Sequence, residues 1–350
     1  METKIKKIDL QQIDENVVGE AGRLIAEGEL VAFPTETVYG LGADALRAEA
    51  AAKLYAVKGR PSDNPLIVHI AETGDLERIA FVPPEAEKLA EAFWPGPLTL
   101  ILKKKDVVPY TTTGGLDTVA VRMPSHPVAL ELIRRSGCLI AAPSANTSGR
   151  PSPTEAAHVK EDLSGRIPMI LDAGPVGIGI ESTILDLTEE QPTILRPGYI
   201  TQEMLAELLG REVGLDPGIM GDGGGRGPKA PGMKYRHYAP KAKLAVVAGP
   251  REAVTARINE LVQRDQNIGK KVAVIASEET VECYDAAAVL CIGSREDEDT
   301  IAQRLYRILR ECDELMVGQI YSESFETPRL GQAIMNRLLK AAGHTMIHVS

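Results

Sequence analysis

Glu29-Leu30-Val31-Ala32-Phe33-Pro34-Thr35-Glu36-Thr37-Val38-Tyr39-Gly40-Leu41-Gly42-Ala43-Asp44-Ala45-Leu46-Arg47-Ala48-Glu49-Ala50-Ala51-Ala52-Lys53-Leu54-Tyr55-Ala56-Val57-Lys58-Gly59-Arg60-Pro61 carries the signals of a strand, a turn and a helix in one run. Residues 29–33 read as a buried strand, and 34–42 as a polar turn closed by two glycines. Residues 45–57, rich in Ala, Leu and Lys, read as a helix that Gly59 and Pro61 stop. Strand, glycine-bearing turn and helix form the unit of α/β sheets, which bind polar ligands at the carboxyl ends of their strands.

The alternation extends in both directions. An amphipathic segment at 17–26 precedes the quoted stretch, and strands are expected at 66–70, 98–102, 118–122, 139–142, 169–172, 182–186 and 193–196. Residues 1–210 are therefore expected to form one α/β domain. Between 211 and 240 the composition turns to Gly and Pro, centred on Gly221-Asp222-Gly223-Gly224-Gly225-Arg226-Gly227-Pro228, which reads as a linker. In 241–350, strands at 244–248, 272–276, 289–293 and 316–320 alternate with helices near 251–264, 299–312 and 329–342. That pattern predicts a smaller, mainly parallel, Rossmann-like α/β domain.

Composition narrows the function. A chain of 350 residues exceeds what one core organises, and 44% hydrophobic with 25% charged residues is globular. No apolar run approaches the roughly 18 residues that span a bilayer, and Met1-Glu2-Thr3-Lys4-Ile5-Lys6-Lys7 has no apolar leader, so the expected place is the cytosol. Cys138, Cys283, Cys291 and Cys312 show no zinc or disulfide spacing and read as reduced, mostly buried thiols. A net charge of −10 disfavours tight nonspecific binding to nucleic acid, so an anionic substrate must meet a local group of cations.

Such a group is available. Lys58 and Arg60 leave a helix end, where they could meet phosphate or simply complement the helix dipole. Arg122 ends the strand Thr118-Val119-Ala120-Val121-Arg122 on the side away from its valines, which also describes an ordinary exposed arginine. His69 closes another strand and could equally be a satisfied core histidine. Ala142-Pro143-Ser144-Ala145-Asn146 offers hydrogen-bonding groups after an apolar strand but lacks the pattern of a hydrolase nucleophile. The phosphate-loop pattern Gly-x-x-x-x-Gly-Lys-Ser/Thr is absent. The loose Gly-x-Gly-x-x-Ala at Gly40, Gly42 and Ala45 would suit a nicotinamide enzyme, but Glu72 is a poorly placed acidic partner.

Taken in order, Pro34-Thr35-Glu36-Thr37-Val38-Tyr39-Gly40-Leu41, Lys58-Gly59-Arg60 with Asn64-Pro65-Leu66, Trp94-Pro95-Gly96-Pro97, Val121-Arg122-Met123-Pro124, Pro143-Ser144-Ala145-Asn146, Ser182-Thr183-Ile184 and Leu195-Arg196-Pro197-Gly198 resemble the YrdC-like threonylcarbamoyl-adenylate synthase family. His237-Tyr238-Ala239-Pro240 extends the resemblance to its long, two-domain form. The resemblance implies an open, twisted mixed sheet with a concave substrate face. It also implies condensation of L-threonine, bicarbonate and ATP into threonylcarbamoyl-AMP, for the threonylcarbamoyl modification of tRNA by a downstream transferase.

By motif, the family would place Thr35, His69, Arg122, Ala142 and Ser144 around threonine and its carbamate. Lys58, Arg60, Asn64, Thr118, Ser144, Asn146, Ser152, Ser182, Arg196 and Tyr235 would surround ATP, with Lys58 and Arg60 offsetting phosphate charge and Mg²⁺ arriving on the triphosphate. Apart from the resemblance, the glycines of the linker and its Tyr235, His237 and Tyr238 read as a lid over the nucleotide, the alternative being a tether whose aromatics only pack on their own domain. A noncatalytic RNA-binding module is the reading from another class. The acidity of the chain and its few aromatic side chains weigh against that reading.

Overall fold

The computed structural model describes residues 1–219, 230 and 237–350. Two compact units emerge: one contains 1–148, 152–219 and 230, the other 149–151 and 237–350.

In the first unit, strands β1 (Lys4–Lys7), β2 (Val31–Phe33), β3 (Gly40–Asp44), β4 (Ile67–His69), β5 (Leu98–Lys103), β6 (Thr118–Arg122), β7 (Ile140–Ala141), β8 (Met169–Asp172), β9 (Thr183–Asp186), β10 (Thr193–Arg196) and β11 (Gly214–Leu215) form one sheet. Their order is β1-β8-β2-β3-β7-β4-β6-β5-β9-β10-β11. The sheet is mixed: β4 runs parallel to β6 and β5 to β9, whereas β5–β6 and β2–β3 are antiparallel. Gly40 and Gly42, read above as part of a turn into a helix, instead lie within β3, and the turn is confined to the residues before them. A Cβ at Gly42 would come within 2.9 Å of both Phe33 and Ile140, so close packing selects glycine there.

Helices cover the two faces unequally. On one face, helices Ala48–Lys58, Pro84–Phe93, Ala156–Leu163 and Gln202–Leu209 bury Leu54, Leu89, Val159 and Leu205 against the sheet. On the other, helices Glu15–Ala26 and Pro127–Ser136 pack Ile25 and Leu132 over the β2 and β8 half. No helix joins the apolar cluster on the β4, β6, β5, β9 and β10 half of that face, among the described residues.

The second unit is a five-stranded sheet of β12 (Lys243–Ala248), β13 (Val272–Ser277), β14 (Ala288–Gly293), β15 (Gln319–Glu323) and β16 (Met346–His348) in the order β14-β13-β15-β12-β16. Every neighbouring pair is parallel. Helices Arg251–Asn267, Glu298–Glu314 and Gly331–Ala341 connect β12 to β13, β14 to β15 and β15 to β16, while β13 and β14 are joined through a short 3-10 turn at Val281–Cys283. The strand expected at 316–320 begins three residues later because Met316 takes a positive φ of 50° in the preceding turn. The expectation of mostly buried thiols is also corrected: Cys312 is buried, Cys138 and Cys291 are half-buried and Cys283 is exposed.

Two glycines of the helix Glu15–Ala26 separate helix propensity from packing. A Cβ at Gly22 would sit 2.9 Å from the backbone of Arg135 and Ser136, whereas one at Gly19 would meet nothing within 4 Å. Gly19→Ala should stabilise the protein by about 0.5–1 kcal/mol through propensity. Gly22→Ala should destabilise it by about 1–3 kcal/mol because overpacking outweighs that gain. Chemical denaturation checks both, and equal signs for the two variants would contradict this packing.

Candidate active site

Strand alternation builds the site. Val68, Leu100, Leu102, Val119, Val121 and Leu185 point into the helix-covered core. Their neighbours His69, Thr99, Lys103, Thr118, Arg122 and Asp186 therefore take the opposite face. The middle of that face is an apolar floor of Ile67, Ile101, Ala120, Ile184 and Leu195, with Ala230 fully buried against it. Thr118 and Arg122 mark the two ends of β6, a span of about 13 Å. A polar site thus lies at each end of a floor long enough for a nucleotide.

Arg122 dominates one end. It is only 4% exposed, contrary to the reading of an ordinary surface arginine. The turn after β2 closes over it: Glu36 pairs with its Nη2 at 2.6 Å and its Nη1 donates to Thr37 Oγ1 at 2.9 Å. Its Nε donates to the Gly96 carbonyl at 3.3 Å. Thr35 Oγ1 lies 2.9 Å from Thr37 Oγ1 and accepts from the backbone N–H groups of Thr37 and Val38. Burial, the largest influence, would push the Glu36 carboxyl up, but the charge and close approach of Arg122 together with the backbone N–H groups of Glu36 and Ser125 outweigh it and hold the carboxyl below its usual range. His69 sits opposite Arg122 in the β4–β6 register, its Nδ1 3.1 Å from the Ile67 carbonyl. Burial, reinforced by Arg122, pushes the pKa of His69 down to about 3, so the ring is neutral near neutral pH.

The loops around the floor are knitted by backbone bonds. Leu41 N donates to Pro143 O and Ala145 N to Tyr39 O, while Ile178 N and Gly179 N donate to Glu36 O and Thr37 O. Lys58 is 2% exposed, and its ammonium donates to the backbone carbonyls of Ser144 and Asn146. It therefore shapes the loop in which Ser144 Oγ donates to Asn146 Oδ1 at 2.6 Å. Arg60 is half-buried and donates to the carbonyls of Asn64 and Pro65, at 3.2 and 3.0 Å. Asn64 is 1% exposed, and its Oδ1 has no hydrogen-bond partner among the described residues.

Arg196 donates from Nε and Nη2 to Ser182 O and Ser182 Oγ at 3.0 and 3.1 Å, and Ser182 Oγ lies 2.8 Å from Thr99 Oγ1. Ser152 Oγ donates to Glu181 at 2.6 Å. Ala142 is buried, its N–H bonded to the Ile67 carbonyl.

The structure thus gathers Thr35, His69 and Arg122 into one cluster. It ties Lys58 to Ser144 and Asn146, Arg60 to Asn64, and Ser182 to Arg196. Thr118 is half-buried at the far end, beside a cleft of about 600 Å³ that Phe81, Lys103 and Asp186 also line. Tyr235 and most of the expected lid lie outside the described residues. Sequence reasoning assigned no role to Glu36, Thr37, Thr99 or Glu181. Their signals were the polar pair inside the turn after β2, a lone threonine in an apolar strand, and a carboxylate adjoining Ser182.

The comparisons with known proteins agree across both units. Residues 23–198 match the family model described as telomere recombination, which groups Sua5, YciO and YrdC. Residues 200–343 match the one described as threonylcarbamoyl-AMP synthase, C-terminal domain. The chain is 51% identical to the threonylcarbamoyl-AMP synthase of Pyrococcus abyssi over 97% of this chain and 98% of that one. It is 51% identical to the Bacillus subtilis protein of the same name, over 94% of each. The crystal structure of P. abyssi Sua5 complexed with L-threonine superposes with a TM-score of 0.94 at 49% identity, covering 99% of this chain and 100% of that one. With both models matched in order, and relatives similar along nearly their whole length, the chain belongs to the threonylcarbamoyl-AMP synthase family in its two-domain form.

Proposed function

We propose that this protein condenses L-threonine, bicarbonate and ATP into threonylcarbamoyl-AMP and pyrophosphate. The observation that carries this reading is the buried Arg122, fixed by Glu36 and Thr37 at the end of an apolar floor. A guanidinium has five N–H donors in a planar fork, so these contacts still leave donors for a substrate carboxylate. Thr35 and neutral His69 lie around the same end, where an uncharged ring does not compete for the carboxylate.

The threonine amine nitrogen bonds to the carbon of carbon dioxide derived from bicarbonate and loses its proton, giving a carbamate. A carbamate oxygen then attacks the α-phosphorus of ATP, and the bond to the bridging oxygen of the β-phosphate breaks as pyrophosphate departs. No protein nucleophile is needed. Positioning of the reactants can contribute about 7–11 kcal/mol to lowering such a barrier. In this reading the ordered Ser144–Asn146 loop and Arg60 bind the phosphates, while the floor under Ala230 holds the nucleoside away from water.

Among the described residues no group of three His, Cys, Asp or Glu could hold a metal ion. Mg²⁺ would therefore come bound to the triphosphate oxygens, where it neutralises charge. No helix among the described residues is long and apolar enough to cross a membrane. We place the reaction in the cytosol, with a tRNA-modifying transferase consuming the product.

Incubation with threonine, bicarbonate and Mg-ATP should release pyrophosphate without RNA. Release that is independent of threonine, or that requires RNA, would contradict the reading. Arg122→Ala should raise the threonine KM by about 10- to 100-fold, as the loss of a charge-assisted pair implies, and change the ATP KM little. The converse pattern would exchange the two ends of the site.

His69 gives a prediction of its own. Its pKa is lowered from 6.5 to about 3 on folding, so below about pH 6.5 the unfolded chain binds a proton that the folded chain does not. This contribution to stability is complete above pH 6.5 and is lost as pH falls toward 3. The stability difference between wild type and His69→Gln should therefore shift against wild type between pH 6.5 and 4. A difference that stays constant with pH would show that the buried ring is not held neutral.

A further inference from the structure

The Arg122 cluster contains a charged residue with no role in the reaction as written above. Glu36 stands in the turn after β2, with its carbonyl held by Ile178 N–H at 2.8 Å. Both of its carboxylate oxygens, and the Nη2 of Arg122 that they face, are shut off from solvent. The pair meets at 2.6 Å, off the line of an ideal hydrogen bond. The glutamate thus meets the guanidinium on a side that solvent does not reach.

Burying two full charges costs several kcal/mol per ion before their attraction is counted, and an apolar pair of similar volume is often as stable or more so. Stability alone therefore gives weak grounds for an ion pair here. A lone buried arginine would be worse still, because its charge would be uncompensated whenever the site is empty.

We infer that Glu36 is the positioning residue of the amino-acid subsite: it holds the Arg122 guanidinium as an oriented fork and so sets the affinity for the substrate carboxylate. Thr37 supports the other arm through Nη1, and Gly96 O fixes Nε. Three contacts from two segments, the turn after β2 and Gly96, thereby fix the plane of the guanidinium. Only Glu36 supplies charge, so its removal should act on the carboxylate of the amino acid and not on the nucleotide. This inference rests on the function proposed above.

The test is a double-mutant cycle on threonine-dependent pyrophosphate release by the full chain. Glu36→Gln keeps the shape of the side chain and removes its charge. It should raise the threonine KM by about tenfold while the ATP KM stays within about twofold. In an Arg122→Ala background the same change should alter the threonine KM by less than about twofold, because a residue acting through Arg122 has nothing left to position.

Glu36→Asp, which keeps the charge but draws it back by one methylene, should fall between wild type and Glu36→Gln. It carries the test if the glutamine variant does not fold. A wild-type threonine KM in either folded variant, an equal rise in both KM values, or full additivity with Arg122→Ala would overturn the inference. If wild type itself released no pyrophosphate with threonine, the proposed function would fall instead.

Discussion

One buried ion pair organises the first unit's open face. Arg122 ends β6 on a face whose middle is wholly apolar, and there a solitary charge would be untenable. Glu36 reaches it from a turn 86 positions earlier in the chain, so the hairpin of β2 and β3 must close over β4 and β6 before the arginine is compensated. Much else serves that closure. Gly40 and Gly42 let β3 lie flat against Phe33, Ile140 and Ala142, and backbone bonds from Ile178 and Gly179 strap the turn in place. The guanidinium of Arg122 and the fold that presents it thus depend on the same contact.

The uneven helix cover gives the site its place. A mixed sheet sheathed on both faces would be a core and nothing more. Here two helices cover the β2 and β8 half of one face, and Ile67, Ile101, Ala120, Ile184 and Leu195 are left as a platform beside them. Ala230 shows that the chain after β11 returns to cover part of that platform within the same unit. The cations named in the sequence are spent partly on architecture: Lys58 binds loop carbonyls, and Arg60 ties down the segment that carries Asn64. Substrate phosphates would therefore meet a loop already ordered by positive charge as well as the charge itself.

What was legible in the sequence follows the range of the forces. Strands such as 118–122 and 193–196, and the helix ending near Lys58, are set by local periodicity and were read to within a few residues. Helices Pro84–Phe93 and Pro127–Ser136 are not among the elements expected from the sequence; each opens with proline, a breaker inside a helix but a good first residue. β1 went unread because Lys4-Ile5-Lys6-Lys7 carries the charge expected of an edge strand and lacks the apolar run of a central one. Thr35, His69 and Arg122, which the structure gathers together, were named by motif, but their states were not legible. Local alternation predicts which way Arg122 points, while its burial and its partner come from a segment that no local window includes.

A crystal structure of this protein with L-threonine and a nonhydrolysable ATP analogue tests the account most directly. The amino-acid carboxylate should lie on the guanidinium of Arg122, with the Glu36 pair intact. The nucleoside should lie along Ile67, Ile101 and Ala120 toward Thr118. Threonine bound away from Arg122, or nucleotide bound on the β12–β16 sheet with this floor left bare, would contradict it.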